Sequence, residues 1–118
     1  MIAVVDDEEE VRMALERMLR TAGYIVATFA SAEALLNSDR LRDIRCLISD
    51  IRMPEMSGLD LQSRLSEECY PIPTIFITAH GDESIRIRAT ETGAVALLEK
   101  PFDRAVLLER VRACLEST

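Results

Sequence analysis

Basic residues are in short supply in this chain. It carries 14 lysines and arginines against 21 aspartates and glutamates, a net charge of −7. Nonspecific binding to nucleic acid or to an anionic membrane surface needs a basic face, so the deficit argues against both. Long apolar runs are also missing, and none approaches the roughly 20 residues that cross a bilayer. The opening stretch, Met1-Ile2-Ala3-Val4-Val5-Asp6, lacks a basic segment followed by an apolar one and is not expected to be a secretory signal. Cysteine is limited to Cys46, Cys69 and Cys114. An odd number, widely spaced in apolar or helical contexts, suggests neither a disulfide framework nor a zinc site. The three read as reduced thiols of a cytoplasmic protein. Histidine occurs once, at His80, and the sequence shows no internal repeat, linker or low-complexity segment. What is present is a chain of 118 residues, 48% hydrophobic and 30% charged. Such a chain is globular, and residues 1–118 are expected to form one domain around one core.

Apolar runs alternate with amphipathic stretches along the whole length. Ile2-Ala3-Val4-Val5 reads as a strand covered on both faces. Val11, Leu15, Met18, Leu19 and Ala22 then trace one helical face, and Gly23 supplies a left-handed stop. Tyr24–Phe29 predicts a second strand, and Ser31 the N-cap of a short helix carrying Ala34, Leu35 and Leu36. Cys46–Ser49 predicts a third strand that ends at Asp50, and a turn over Pro54–Gly58 leads into a helix from Leu59. Pro73–Thr78 and Ala94–Leu98 predict two further strands, separated by a helix capped by Asp82 and running towards Gly93. A last helix from about Asp103 carries Leu107, Leu108, Val111, Cys114 and Leu115 inward. Met13, Met18, Met53 and Met56 suit core and turn packing better than a metal or partner site. Strands alternating with helices in this way imply an α/β, doubly wound parallel sheet with right-handed crossovers. In such sheets ligands bind beyond the carboxyl ends of the strands.

The strand ends therefore decide the chemistry. The first strand ends in Asp6-Asp7, the third in Asp50 and the fourth in Thr78, while Lys100-Pro101 follows the fifth. Taken singly, each has an ordinary role: a helix cap, a turn residue, a β-branched strand residue, a solvated lysine. Their coincidence at four strand ends does not. Clustered carboxylates repel one another and stay ionised only beside a cation or by sharing protons. Oxygen donors without a neighbouring His or Cys suit a hard ion, Mg²⁺ above all, which keeps its waters and favours phosphate oxygens. A carboxylate beside that ion can act as a nucleophile towards phosphorus. Lys100 can neutralise one phosphoryl oxygen, and the Thr78 hydroxyl can donate to another.

Val5-Asp6-Asp7-Glu8, Ser49-Asp50-Ile51-Arg52-Met53-Pro54-Glu55-Met56-Ser57-Gly58, Ile77-Thr78-Ala79-His80 and Glu99-Lys100-Pro101-Phe102 occur in this order along the chain. Together they resemble the receiver domain of two-component response regulators over essentially the entire length. The Arg-Met-Pro turn and the Thr-Ala-His-Gly-Asp stretch are most similar to the FixJ-type branch. The resemblance implies a CheY-like, flavodoxin-like (βα)5 fold with strand order 2-1-3-4-5. It implies that Asp50 is phosphorylated by a sensor histidine kinase, with Asp7 a direct Mg²⁺ ligand and Asp6 binding the ion directly or through water. The backbone carbonyl of Arg52 would complete the protein's ligands. Thr78 would be the switch hydroxyl and Lys100 its salt-bridge partner, with a cis bond between Lys100 and Pro101. The domain would catalyse only its own phosphotransfer and dephosphorylation. Its helix 4/strand 5 face would control an output, transcription through a DNA-binding domain that this chain does not contain.

One position departs from the family pattern: Leu97 stands where receivers carry a switch aromatic, and it reads equally as core packing. His80 and Arg52 are either modulators at the mouth of the site or solvated side chains. Ile85 and Ile87 lie two positions apart and cannot share one helical face, so one is left exposed. Ile87 and Val95 are expected at or near a phosphorylation-dependent homodimer interface. Two alternatives stay open. One is a Mg²⁺-dependent phosphatase-like domain with an aspartyl-phosphate intermediate, although Arg52 stands where its second carboxylate belongs. The other is a phosphorylation-independent receiver-like module that only binds partners. A flavodoxin-like cofactor module lacks support, because no Gly-rich loop follows the first strand.

Overall fold

The structure, a computed structural model, describes residues 1–79, 81 and 83–116. Among these, strands β1 (Ile2–Val5), β2 (Val26–Phe29), β3 (Cys46–Asp50), β4 (Thr74–Thr78) and β5 (Ala96–Glu99) form one parallel sheet in the order β2-β1-β3-β4-β5. Helices α1 (Glu9–Thr21), α2 (Ala32–Leu36), α3 (Gly58–Glu67) and α4 (Glu83–Glu91) lie in the connections, and α5 (Arg104–Glu116) follows β5. This is the doubly wound parallel sheet expected from the alternation, in the CheY-like strand order that the resemblance implies. A single turn of 3₁₀ helix at Leu41–Asp43, which the sequence pattern did not suggest, precedes β3. None of the described helices is long and apolar enough to cross a membrane.

Successive strand residues point to opposite faces, and both faces are covered. On one face Ile2 and Val4 of β1, Cys46 and Ile48 of β3, and Ile75 and Ile77 of β4 pack against Leu15 and Leu19 of α1 and Leu107, Val111 and Cys114 of α5. On the other face there are two smaller clusters. Ala3, Val5 and Leu47 meet Leu35 of α2 and Leu61 and Leu65 of α3. Phe76 meets Leu59 of α3 and Ile85 and Ala89 of α4, with Leu97 packed alongside.

Most helix ends follow the sequence signals. Ser31 accepts the Ala34 N–H and so caps α2, and Ser57 and Asp60 form a reciprocal capping box at α3. Gly23 closes α1 at a φ of 96°. The expected cap of α4, Asp82, lies outside the described residues. Two strand starts shift by two residues, and two side chains expected to pack are exposed. The Tyr24 N–H bonds back to the Leu19 carbonyl, so Tyr24 belongs to the end of α1 and β2 starts at Val26. The Ala94 N–H likewise returns to Ala89 of α4, and β5 starts at Ala96. Ala22, past the last turn of α1, is exposed rather than on the buried face, and Met13 is 51% exposed rather than packed.

Candidate functional site

The carboxyl ends of the three central strands converge. Asp6 follows β1 directly, and its N–H donates to the Phe29 carbonyl at the end of β2 at 3.2 Å. The residue is only 1% exposed. Its Oδ1 accepts the Glu8 N–H at 2.9 Å, whereas its buried Oδ2 has no hydrogen-bond partner among the described residues. Asp50, the last residue of β3, is also buried, and its Oδ1 accepts the Arg52 N–H at 3.4 Å. Asp7 is exposed at the mouth. One carboxylate oxygen from each of Asp6, Asp7 and Asp50 lies within 4.8 Å of the others.

Lys100 enters from the end of β5. Its Nζ stands 3.6 Å from Asp6 Oδ2, 3.7 Å from Asp50 Oδ2 and 3.7 Å from Glu8 Oε1. One ammonium thus serves three acids, none within hydrogen-bonding distance. Burial lifts the Asp50 carboxyl to a pKa of about 6, and the Asp6 charge pushes the same way, against Lys100 and the Arg52 N–H. Burial likewise raises the Asp6 carboxyl above its ordinary range, opposed chiefly by the Glu8 N–H and Lys100. A buried carboxylate oxygen without a hydrogen bond, converging acids and an all-oxygen donor set fit a hard divalent cation.

Residues 2–112 match the response regulator receiver domain family. The chain belongs to that family. The receiver domain is 44% identical to the response regulator protein TodT of Pseudomonas putida over 98% of this chain and 51% of the relative. It is 41% identical to the transcriptional regulatory protein FixJ of Rhizobium meliloti, again over 98% of this chain and 56% of the relative. It thus spans about half the length of these relatives. Among solved structures, that of FixJ-N superposes with a TM-score of 0.89 at 40% identity, covering 99% of this chain and 94% of the other. The chain is therefore a two-component signalling domain whose relatives include transcription regulators.

The remaining residues singled out in the receiver sequence fall at several depths. Thr78 ends β4, fully buried, and its carbonyl accepts the Lys100 N–H at 2.8 Å, which ties the two strand ends together. The Lys100–Pro101 peptide bond is cis. Arg52 is exposed, two residues past Asp50. Leu97 pairs in register with Phe76 and packs against the α4 cluster, away from the acids. Ile87 and Val95 are 51% and 36% exposed, whereas Ile85 is buried, so α4 presents one of its isoleucines to solvent as its spacing requires. His80 lies outside the described residues.

Three residues at the site were not apparent from strand ends alone. A Cβ on Gly58 would lie 2.3 Å from the Asp50 carbonyl oxygen, so only glycine lets the first turn of α3 rest on the end of β3. Glu8 reaches Lys100, and Arg12 Nη1 donates to the Asp6 carbonyl at 2.7 Å. The glycine after the Pro54 turn was a usable signal for the first. The other two contacts depend on the path of the β1–α1 loop, which residue types do not reveal.

Proposed function

We propose that this receiver accepts a phosphoryl group on Asp50 from the phosphohistidine of a partner sensor kinase, in a reaction supported by Mg²⁺. The observation that carries this is the convergence of Asp6, Asp7 and Asp50 within 4.8 Å, with Lys100 Nζ 3.7 Å from the acceptor carboxylate. At pH 7 Asp50, with its pKa of about 6, is ionised and able to attack. Its carboxylate oxygen bonds to phosphorus while the phosphorus–nitrogen bond to histidine breaks, and the imidazole takes up a proton. When bound, the ion would neutralise charge on the carboxylates and the incoming phosphoryl oxygens. Asp6, Asp7, Asp50 and the Arg52 carbonyl would hold it. Lys100 then pairs with the phosphoryl group, and the Thr78 hydroxyl donates to it. Hydrolysis of the acyl phosphate, catalysed by the same residues, returns the domain to its starting state.

The response runs to the surface of α4 and β5, with Ile87 and Val95 at a phosphorylation-dependent homodimer interface. The output is transcriptional, through a segment that belongs to the half of the relatives' length this chain does not span. The receiver unit in this proposal takes in residues 1–118. Intact mass after incubation with acetyl phosphate and Mg²⁺ tests the chemistry. A single phosphoryl adduct is expected on the wild-type chain and none on Asp50→Asn. An adduct on both, or on neither, overturns the assignment.

A further inference from the structure

We infer that Arg12 is a positioning residue for the acidic site, acting on the β1–α1 turn rather than on its charge. This rests on the reading of Asp6, Asp7 and Asp50 as a divalent-cation site. Arg12 stands in the second turn of α1, with its own N–H bonded to the Glu8 carbonyl. Helical side chains lean towards the N-terminus of their helix. That lean carries the Arg12 guanidinium back over the turn, where Nη1 donates to the Asp6 carbonyl at 2.7 Å. Asp6 lies one residue beyond the last register pair of β1, so its carbonyl is past the end of the strand ladder. The turn Asp6-Asp7-Glu8 is thus fixed from two sides. The Asp6 side chain holds the Glu8 N–H at 2.9 Å, and Arg12 holds the Asp6 backbone.

The arrangement separates position from charge. Lys100 is the cation set against the acid oxygens, 3.6 Å from Asp6 Oδ2 and 3.7 Å from Asp50 Oδ2, whereas Arg12 meets the Asp6 backbone. The Arg12 contact is a charge-assisted hydrogen bond to a neutral carbonyl, shorter than any of the approaches of Lys100 to the acids at 3.6–3.7 Å. Without it, the turn between the Asp6 N–H, anchored on the Phe29 carbonyl, and the Glu8 carbonyl, anchored on the Arg12 N–H, would be held by the Asp6 side chain, the group the cation needs. A bound ion would then have to order the turn at the expense of its own affinity. Residues that orient metal ligands typically contribute 10–100-fold to affinity.

Calorimetric titration of the domain with Mg²⁺ tests this, on wild type, Arg12→Ala and Arg12→Lys, each at several pH values between 5 and 8. Thermal unfolding without Mg²⁺ serves as the check on folding. The expected result is a dissociation constant raised about 10-fold in Arg12→Ala. Recovery is expected in Arg12→Lys, which still donates to the carbonyl, with the pH midpoint of binding unchanged in all three. Unchanged affinity in a folded Arg12→Ala overturns the inference. So does a midpoint displaced in Arg12→Ala, which would make the residue a charge partner. Should Arg12→Ala not fold, Arg12→Met, which keeps the apolar stem, is judged by the same criteria. If the wild-type domain itself fails to bind Mg²⁺, the cation site and this inference fall together, whereas binding by wild type with no effect of Arg12 removes the inference alone.

Discussion

On one face of the sheet α1 and α5 close over a continuous apolar layer, in which Leu15, Leu19, Ile48, Ile75, Leu107 and Val111 are each at most 2% exposed. On the other face the cover is divided between two clusters. The outer one is completed by α4, which buries only Ile85 and Ala89 and leaves Ile87 51% exposed. The difference begins in the sequence. The buried residues Leu107, Val111 and Cys114 of α5 follow a helical spacing of four and three, whereas in α4 Arg86 and Arg88 flank Ile87 and the apolar face is two residues wide. Burial of apolar area is the main stabilising term, so the two halves of the same sheet hold their helices with different strength. Elements with few buried contacts open at lower free energy than the rest of a domain. The face proposed to carry the response is therefore the one that is cheapest to rearrange.

The largest effects expected are on the packing itself. Leu107→Ala should lower stability by about 3 kcal/mol, as measured by urea denaturation, because it empties a fully enclosed site. Ile85→Ala, at the edge of a thin cluster, should cost about half as much, roughly 1.5 kcal/mol. Equal costs would break the comparison, and amide exchange in α4 no faster than in α5 would break it from another side. Gly58→Ala should come next, at about 1–3 kcal/mol, since the new methyl meets the Asp50 backbone carbonyl and not a movable side chain. The site that joins the two halves is itself a source of instability. A carboxyl whose pKa is raised on folding binds its proton more tightly in the folded state, so its contribution is favourable at low pH. That contribution is lost as pH rises from the ordinary value of 3.8 through about 6. Asp50→Asn, which carries no charge at any pH, should then be more stable than wild type by about 1–2 kcal/mol at pH 7. The gap should close towards pH 4 in paired melts, and a gap independent of pH would remove burial of Asp50 as its cause. The smallest effect is expected at Glu99→Gln. Its ion pair with Arg86 links β5 to α4 at the surface, and its loss should change stability by under about 0.5 kcal/mol. A larger loss would show that α4 is held by charge where it lacks apolar cover.

Strand ends were legible in the sequence because a parallel sheet places them all on one rim, so Asp6, Asp50, Thr78 and Lys100 could be gathered without knowing a single distance. The unbroken apolar run Ile2-Ala3-Val4-Val5 and its counterparts likewise announced a sheet covered on both sides. What escaped was set by the loops. Gly58 owes its place to the close return of α3 on β3, and Arg12 to a carbonyl six residues behind it. Tyr24 and Ala94 looked like strand residues by type, yet their N–H groups were claimed by the preceding helix ends. Local propensity describes what a residue tolerates, and the competition for backbone hydrogen bonds decides where an element begins.

The pleat of β3 and β4 has a consequence for how the two halves communicate. Asp50 shares the orientation of Cys46 and Ile48, towards α1 and α5, whereas Thr78 shares that of Phe76, towards α4. The acceptor and the hydroxyl proposed to answer it thus rise from opposite sides of a partition one residue thick and meet over its upper edge. A new bond there would not pull within either layer. It would draw a residue of the lightly covered side towards a group anchored on the firm side, so the yielding half moves and the other serves as its abutment.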